Sequence, residues 1–524
     1  MADGKKEQER EELHKAIWAI ADELRGAVDG WDFKAYVLGT MFYRFLSESI
    51  TSYLNELTRE AGDEGFSYAE MPDEDAEAAR EQMISEKGFF MLPSELFCNV
   101  RKRAKDDENL NTTLETIFRH IENSAVGTES EDSFKGLFAD YDVNSNKLGA
   151  TVAKRNEKLV KLLNGIGEMN LGDIREHTID AFGDAYEYLM TMYASNAGKS
   201  GGEFYTPQEV SELLTRLGIV GRTELNKVYD PACGSGSLLL KAAEILGKEN
   251  IRQGFFGQEI NITTYNLCRI NMHLHDIGFE NFDIACEDTL TNPAHWDDEP
   301  FELIVSNPPY SIKWEGDDNP ILINDPRFSP AGVLAPKSKA DLAFIMHSLS
   351  WLAPSGTAAI VCFPGIMYRG GAEQKIRKYL IDNNFIDCVI QLPPNLFFGT
   401  SIATCIMVLK KNRNDSGILF LDASNEFVKV TNNNKLTDEN IAHIVDAFTN
   451  REDIENFTRL VPYEEIKEQD YNLSVSTYVE QQDTREKVDI TELNARIREI
   501  VAREQILRDE IDRIIAEIEE DQSN

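Results

Sequence analysis

The fold is decided by the stretch Val228-Tyr229-Asp230-Pro231-Ala232-Cys233-Gly234-Ser235-Gly236-Ser237-Leu238-Leu239-Leu240. A short strand ends at Asp230, a glycine turn follows, and an apolar helix begins near Ser237. Because glycine carries no side chain, Gly234 and Gly236 allow the backbone to approach a ligand closely. This order is typical of the first βα unit of a Rossmann-like α/β fold, whose turn binds a cofactor.

Two acidic residues follow at the ends of the next predicted strands. Glu259 ends the strand Gly254–Glu259, about twenty positions after the glycine turn, where a carboxylate would accept from both ribose hydroxyls of a nucleoside cofactor. A helix over Thr263–His275 and a strand over Phe282–Cys286 lead to Asp288. We expect Asp288 to contact the adenine amine of that cofactor.

A second loop, Asn307-Pro308-Pro309-Tyr310, follows the apolar run Phe301–Ser306, which is of strand length. Proline fixes φ and has no N–H, so this turn is stiff and offers acceptors but almost no donors. Asn307 and Pro308 each present a carbonyl, and Tyr310 presents a flat face for stacking. A planar amine or amide with two N–H bonds would suit this loop. The alternative is a plain strand-ending turn, because Pro-Pro turns are common.

A third motif, Glu203-Phe204-Tyr205-Thr206-Pro207-Gln208, comes after a glycine-rich run. The pattern predicts that Thr206 caps the next helix, with Pro207 at the first helical position. A capping role does not explain why two aromatic residues, Phe204 and Tyr205, and a run of glycines come directly before Thr206.

The composition limits the function and the compartment. The chain has 524 residues and a net charge of -38, so it should be repelled by DNA. Either the substrate is not nucleic acid, or a separate basic partner holds the DNA. Seven cysteines without paired spacing, the lack of an apolar run of roughly 18 residues and a charged amino terminus favour a cytoplasmic protein.

Periodicity divides the chain into three parts. Helical patterns predict an all-α N-terminal domain over residues 1–168, and alternating strands and helices predict an α/β domain over residues 169–475. Residues 476–524 carry apolar positions at spacings of four and three, which is typical of the seam of a coiled-coil helix. The seam consists of Leu493, Ile497, Ile500, Leu507, Ile511, Ile514 and Ile518. A lone helix cannot bury such a seam, so we expect it to dock against a helix of a partner protein.

Four other features have less specific interpretations. The acidic segment Gly62–Gln82 is predicted to be irregular or mobile, and Ser311–Lys339 to be a functional or disordered loop. A basic group could contact phosphate or form a solvated helix face; it consists of Arg369, Lys375, Arg377 and Lys378. We expect core packing, and no metal, at a set of residues without paired metal-ligand spacing. That set is Cys268, His273, His275 and Cys286.

Taken together, the three motifs with Glu259 and Asp288 resemble the adenine-N6 DNA methyltransferases. The helical amino terminus, the Phe204-Tyr205-Thr206-Pro207 element and Asp470-Tyr471-Asn472-Leu473 look like the modification subunit of a type I restriction-modification system. The similarity covers nearly the whole chain. It implies a Rossmann-like S-adenosylmethionine-dependent methyltransferase domain, with Asn307, Pro308 and Tyr310 holding a flipped adenine.

The resemblance also implies the cofactor site and the partners. S-adenosylmethionine would be bound by Glu203, Phe204, Tyr205, Thr206, Pro207, Gln208, Asp230, Gly234, Ser235, Gly236, Ser237, Glu259 and Asp288. A separate specificity subunit would read the DNA and bind two modification subunits through helices, and a restriction subunit can join to cleave unmodified DNA. The missing positive charge would then lie on another chain.

Two other functions stay open at this point. A protein-glutamine methyltransferase uses the same tetrapeptide on an amide, although it does not need the long helical amino terminus or the terminal seam. A non-catalytic assembly protein could keep a relic methyltransferase fold, and the intact Asp230, Gly234, Glu259, Asn307 and Tyr310 argue against it.

Overall fold

The computed structural model describes residues 2–24, 30–171, 181–196, 206–296, 299–397, 400–430, 433–480 and 490–522. The chain forms two units, Met1–Glu480 and Gln481–Asn524. None of the helices in these ranges is long and apolar enough to cross a membrane.

The described ranges contain helices and strands as follows. The helices are α1 (Ala2–Leu24), α2 (Gly30–Glu60), α3 (Asp73–Ala76), α4 (Arg80–Lys87), α5 (Phe97–Arg103), α6 (Leu110–Ser124), α7 (Glu131–Phe134), α8 (Val152–Glu168), α9 (Ala181–Asn196), α10 (Gln208–Gly218), α11 (Ser237–Leu246), α12 (Ile262–Leu274), α13 (Asp341–Trp351), α14 (Ala372–Asp382), α15 (Asp438–Asn450), α16 (Tyr463–Glu468), α17 (Val475–Tyr478) and α18 (Ile490–Gln522). The strands are β1 (Val228–Asp230), β2 (Phe255–Gln258), β3 (Phe282–Ala285), β4 (Phe301–Ser306), β5 (Leu352–Cys362), β6 (Ile386–Gln391), β7 (Cys405–Lys410), β8 (Ile418–Asp422), β9 (Val428–Val430), β10 (Asn433–Lys435) and β11 (Thr458–Val461).

The amino-terminal helices enclose one aromatic core, as the sequence predicts. Phe42 and Tyr43 of α2 are fully buried, and the rings of Phe118 and Phe138 stack with centroids 4.3 Å apart. The same core continues onto Ile270 and Leu274 of α12. The helical region therefore packs directly against a helix of the α/β region.

The acidic segment Gly62–Gln82 differs from its prediction as an irregular or mobile insertion. It folds into short helical turns that include α3 and the start of α4. Tyr68 is buried there; its hydroxyl donates to the carbonyl of Met91 at 2.6 Å and its N–H donates to Asn55 Oδ1 at 2.8 Å. Tyr68 and Ala76 thus anchor to the helical core a segment whose composition alone suggests disorder.

Nine strands of the described ranges form one mixed sheet, in the order β11-β8-β6-β7-β5-β4-β1-β2-β3. The strands β3, β2, β1, β4 and β5 are parallel, and β7 is antiparallel to both of its neighbours, β5 and β6. The predicted α/β fold and the first βα unit, β1 followed by α11, are confirmed. Because β2 lies on one side of β1 and β4 on the other, a crevice opens between the carboxyl ends of β1 and β4.

The segment Ser311–Lys339 was expected to be functional or disordered, and it is ordered by packing onto the core on one side of the sheet. Three 3-10 turns alternate with loops, and Trp314, Leu322 and Phe328 are buried. At its end, the N–H of Ala340 donates to the carbonyl of Ile312 at 3.0 Å, which closes the segment on itself.

The carboxyl-terminal unit contains the helix α18. Apolar side chains of the predicted seam are exposed along it, for example Leu493, Ile500 and Ile514. The helix expected from the sequence is present, and its apolar stripe is available to a partner helix.

The basic group after β5 matches neither of its two interpretations in full. Arg377 is buried; its Nε donates to the carbonyl of Tyr471 at 3.0 Å and its Nη1 to the carbonyl of Ile366 at 2.8 Å. Lys378 Nζ donates to Asp382 and to the Tyr471 hydroxyl, both at 2.6 Å. Arg377 thus joins the Asp470–Leu473 motif to the segment after β5, rather than contacting phosphate or solvent.

We predict that Arg377→Met destabilises the protein, because it leaves two buried carbonyl groups without donors. The loss should be about 3 kcal/mol, seen as a lower midpoint of thermal unfolding. Lys375→Met, an exposed position on the same helix, is the control and should change the midpoint little. Equal midpoints for the two variants would contradict the structural role of Arg377.

Candidate active site

The carboxyl ends of β1 and β4 are joined by one hydrogen bond. Asp230 is the last residue of β1 and Ser306 is the last residue of β4, its parallel neighbour. The Ser306 hydroxyl donates to Asp230 Oδ1 at 2.7 Å. The predicted cofactor turn and the predicted amine-binding loop therefore start from two residues in contact.

The Asp230 carboxyl group is fully buried (0% exposed). Besides the Ser306 hydroxyl, its Oδ1 accepts from the N–H of Ala232 at 3.0 Å, whereas Oδ2 has no hydrogen-bond partner in the part of the chain that the structure describes. Burial raises the pKa of Asp230 to about 7, against the opposing effect of both hydrogen bonds. A buried acceptor of this kind fits a cationic or N–H-bearing group of a ligand.

At Gly236, the glycine turn lies too close to α12 for a larger residue. Gly234 and Gly236 have φ values of 54° and 80°, and a Cβ at Gly236 would lie 2.8 Å from Cys268 Sγ. From α12, Asn271 Nδ2 donates to the main-chain carbonyl of Ser235 at 2.9 Å. The turn and the start of α11 contain all four predicted residues, Gly234, Ser235, Gly236 and Ser237.

Glu259 lies directly after β2 and contacts the same turn. Its Oε2 accepts from the N–H of Gly234 at 3.2 Å, and its Oε1 accepts from the N–H of Asn261 at 2.8 Å. Burial raises the pKa of Glu259. A carboxylate has about four lone-pair directions, so both oxygens can still accept from hydroxyl groups of a ligand.

Asp288 lies in the turn after β3, and its Oδ1 accepts from the N–H of Leu290 at 2.9 Å. The neighbouring Thr289 hydroxyl donates to the carbonyl of Pro231 at 2.6 Å. This contact places the Asp288 turn beside the residue that follows Asp230, at the same edge of the sheet.

The carboxamide of Asn307 is held between two hydroxyl groups. Its Nδ2 donates to Thr206 Oγ1 at 3.1 Å, and its Oδ1 accepts from the Tyr310 hydroxyl at 2.5 Å. Pro308 is buried and Tyr310 is half-buried. Burial holds the pKa of Tyr310 well above 10, so the phenol keeps its proton and remains a donor.

The predicted capping role of Thr206 is wrong. The helix α10 begins at Gln208, Pro207 is the N-cap residue, and no side chain caps the helix. Thr206 is instead free of the helix and binds Asn307, a contact between residues 101 positions apart that local pattern cannot reveal. The predicted residues Glu203, Phe204 and Tyr205 lie outside the described residues.

Sequence reasoning missed Arg327, whose guanidinium is buried and uses all of its donors. Nε and Nη2 donate to Asp325, Nη1 donates to the carbonyl of Thr289, and Nη2 also donates to the carbonyl of Leu290. The remaining Nη1 hydrogen points to His347 Nδ1 at 3.2 Å. Arg327 thus joins the segment after the Asn307 loop to the turn that carries Asp288. No sequence pattern indicates this role, because the carbonyl groups that Arg327 binds lie 38 and 37 positions away in the chain.

Asp341 was also missed, although it holds the far end of the Asn307 loop. Its Oδ1 and Oδ2 accept from the N–H of Ser311 at 3.2 and 3.1 Å, and Ser311 has a φ of 51°. Asp341 is the first residue of α13, where a carboxylate is favoured by the helix dipole.

Among the cysteines and histidines near the site, Cys233, Cys268 and His273 are buried in the core, whereas His275 and Cys286 are half-buried. The pKa of Cys233 is raised well above its usual value by its hydrogen bond to Cys268 and by burial, so this thiol stays protonated. His273 is buried between aromatic rings, with Phe134 at 4.8 Å between centroids, and burial lowers its pKa to about 3. Within the described ranges, no cluster of three or more metal-ligating side chains was found.

Comparison with protein families matches both regions of the fold. The profile described as N-6 DNA Methylase matches residues 177–487, and the profile described as HsdM N-terminal domain matches residues 13–166. The first range includes the glycine turn, Glu259, Asp288 and the Asn307 loop.

Individual proteins resemble the chain over most of its length. It is 51% identical over 537 residues to the Type I restriction enzyme MpnII methylase subunit of Mycoplasma pneumoniae, across 99% of this chain and 98% of that protein. It is 35% identical to the MjaVII methylase subunit of Methanocaldococcus jannaschii, across 68% of this chain and 61% of that protein. The solved methyltransferase subunit of a type I restriction-modification system from Streptococcus thermophilus aligns with a TM-score of 0.81 at 38% identity, covering 90% of this chain and 99% of that one.

Proposed function

The chain belongs to the methylase subunits of type I restriction enzymes, and from that premise we propose that it methylates the N6 amine of adenine in DNA with S-adenosylmethionine. The observation that supports this most is the hydrogen bond between Ser306 and Asp230. It joins a donor-poor loop, suited to an amine, to a crevice with an unpaired buried carboxylate oxygen.

The residues of the crevice fit S-adenosylmethionine, which supplies a methyl group on a sulfonium that is a good leaving group. Asp230 Oδ2 would accept from the ammonium of the methionine part, and Glu259 would accept from the ribose hydroxyls. Asp288 would accept from the adenine amine of the cofactor. The glycine turn allows close approach of its backbone, because Gly234 and Gly236 adopt positive φ. We include Glu203–Gln208 in the same binding site.

The Asn307 loop would hold the target adenine after it has left the DNA stack. Leaving the stack costs about a few kcal/mol, and stacking on Tyr310 would return roughly 1 to 3 kcal/mol. Asn307 Oδ1 and the Pro308 carbonyl would accept the two N6 hydrogens and direct the nitrogen lone pair toward the methyl group. Oδ1 has a second lone pair besides the one that the Tyr310 hydroxyl uses. Cys233, buried and protonated, takes no covalent part.

The acidity of the chain supports a division of labour with other subunits. With a net charge of -38, it needs a basic partner to hold DNA. We propose that α18 binds a specificity subunit through its exposed apolar stripe, that two copies of this chain join one such subunit, and that a restriction subunit can be added.

The functional parts of the chain follow from this assignment. We propose a helical N-terminal domain over residues 1–168, a methyltransferase domain over residues 169–475 and a docking helix within residues 476–524. A cytoplasmic location also belongs to the proposal, supported by seven free cysteines.

The decisive test is co-expression with the products of the neighbouring genes, among which we expect the specificity subunit, in a host without adenine methylation. Mapping N6-methyladenine in the host DNA should show one modified sequence. Asn307→Ala should lower the methylation rate roughly a hundredfold or more, because it removes a hydrogen-bond acceptor of the transition state. Its affinity for S-adenosylhomocysteine should stay near normal. Loss of that affinity would mean that the loop belongs to the cofactor site instead.

The raised pKa of Asp230 predicts a pH dependence of cofactor binding. Only the ionised carboxylate attracts an ammonium group. Because the pKa of Asp230 is about 7, this form predominates only when the pH is above that value. Affinity for S-adenosylhomocysteine, measured by calorimetry, should therefore rise roughly fivefold between pH 6 and pH 7. Asp230→Asn should bind more weakly and lose this rise, whereas Asp288→Asn should keep it. A flat profile for the unmodified protein would contradict the contact with Asp230.

Truncation after Lys487 removes α18 and tests the docking role. We expect the shortened chain to fold with an unchanged midpoint of thermal unfolding and to lose co-elution with the specificity subunit on gel filtration. An unchanged complex would reject the proposal for α18.

A further inference from the structure

An asparagine carboxamide can serve the Asn307 loop in only one of its two orientations. Rotation by 180° about its last bond exchanges Oδ1 and Nδ2, and only Oδ1 can accept from a substrate amine. Pro308 and Pro309 have no N–H, so the backbone of the loop itself has little means of selecting the orientation. The selection must come from the side chains that contact Asn307.

The two contacts of Asn307 differ in chemistry. A phenol is a better donor than acceptor, because its oxygen lone pair is delocalised into the ring. An aliphatic hydroxyl is the better acceptor of the two. The observed arrangement pairs the Tyr310 phenol with Oδ1 and the Thr206 hydroxyl with Nδ2, so each polar atom of Asn307 meets its better partner.

The backbone around Thr206 makes its hydroxyl a rigid reference point. Thr206 is 7% exposed, and α10 follows directly after Pro207. This helix packs against β4: Leu213 and Leu214 share a core with Val305, and a Cβ at Gly218 would lie 2.2 Å from Leu303 Cδ1. The strand that precedes Asn307 and the helix that follows Thr206 therefore pack directly against each other.

We propose that Thr206 is a positioning residue for methyl transfer, because its hydroxyl oxygen holds Nδ2 of Asn307 and so turns Oδ1 toward the substrate amine. The inference rests on the proposed function and assigns the Thr206 hydroxyl to Asn307, so that cofactor binding by the segment Glu203–Gln208 would fall to its other residues. Removal of the hydroxyl leaves a part-buried N–H without an acceptor and lets the carboxamide turn its wrong end to the substrate.

The test compares Thr206→Val, which keeps the shape, with Thr206→Ser, which keeps the hydroxyl. The complex with the specificity subunit is mixed with DNA lacking adenine methylation and with tritiated S-adenosylmethionine, and single-turnover transfer is measured. Thr206→Val should slow transfer roughly tenfold or more, while the dissociation constant for S-adenosylhomocysteine changes less than about twofold. Thr206→Ser should restore most of the rate.

Two further variants separate positioning from a general effect on structure. Ser211→Ala removes another buried hydroxyl at the start of α10, which donates to the carbonyl of Pro207 at 3.3 Å, and it should leave the rate near normal. Asn307→Asp replaces the carboxamide with a group whose two ends are alike. In that background Thr206→Val should have little further effect, because no orientation remains to be selected.

Three results would overturn the inference: a normal rate for Thr206→Val, a Thr206→Ser variant as slow as Thr206→Val, or a cofactor affinity that falls in parallel with the rate. Label is counted separately in adenine and in protein. Label in protein amides rather than adenine would reject the proposed function, and the same comparison of Thr206 variants would then be made on that product. An unmodified complex that transfers no label to either would reject both.

Discussion

The carboxyl edge of the sheet, where the proposed active site lies, depends on the hydrogen bonds of one buried carboxylate, Asp230. The Ser306 hydroxyl and the N–H of Ala232 both donate to Oδ1 of Asp230, whereas Oδ2 accepts no hydrogen bond from the described residues. If protein groups satisfied both oxygens, a ligand cation would gain little from Asp230; if they satisfied neither, burial would be more costly still. Because the bond from Ser306 also joins β1 to β4, the same interaction shapes the proposed cofactor crevice and sets the starting point of the proposed substrate loop.

The charge of the chain and the contacts of two of its basic residues both favour a partner protein that holds the DNA. The four basic residues after β5 are where phosphate contacts could have been sought in an acidic protein. Arg377 instead binds two main-chain carbonyls, and Lys378 binds Asp382 and Tyr471. These contacts hold the Asp470–Leu473 motif in place. The charges of Arg377 and Lys378 therefore serve protein structure, whereas Lys375 is exposed. Together with the net charge of -38, this favours a partner as the main source of attraction to DNA.

Local sequence pattern predicted the parts of the structure that are themselves local. The bounds of β1 and α11 follow from an apolar run, a glycine turn and a second apolar run. Asp230, Glu259 and Asn307 lie at or directly after strand ends, as the sequence predicts. The role of Thr206 was mistaken, because Thr-Pro before a helix is a capping pattern and its actual partner is distant in sequence. Arg327 was missed for the same reason. The strands β8, β9, β10 and β11 were also not predicted; β11 pairs with β8 at one edge of the sheet, and β9 is exposed throughout.

The chemistry of the Asn307 loop explains why so many distant residues surround it. A loop that must offer acceptors to an amine cannot also offer donors, and two prolines remove the N–H groups with which a loop usually binds its neighbours. Its position must then be set by groups from elsewhere: Ser306 before it, Thr206 at its side chain and Asp341 at the N–H of Ser311 after it. Arg327 extends the same support to the Asp288 turn through Thr289 and Leu290. The more completely a loop is specialised for accepting hydrogen bonds, the more of its rigidity has to be supplied by the surrounding fold.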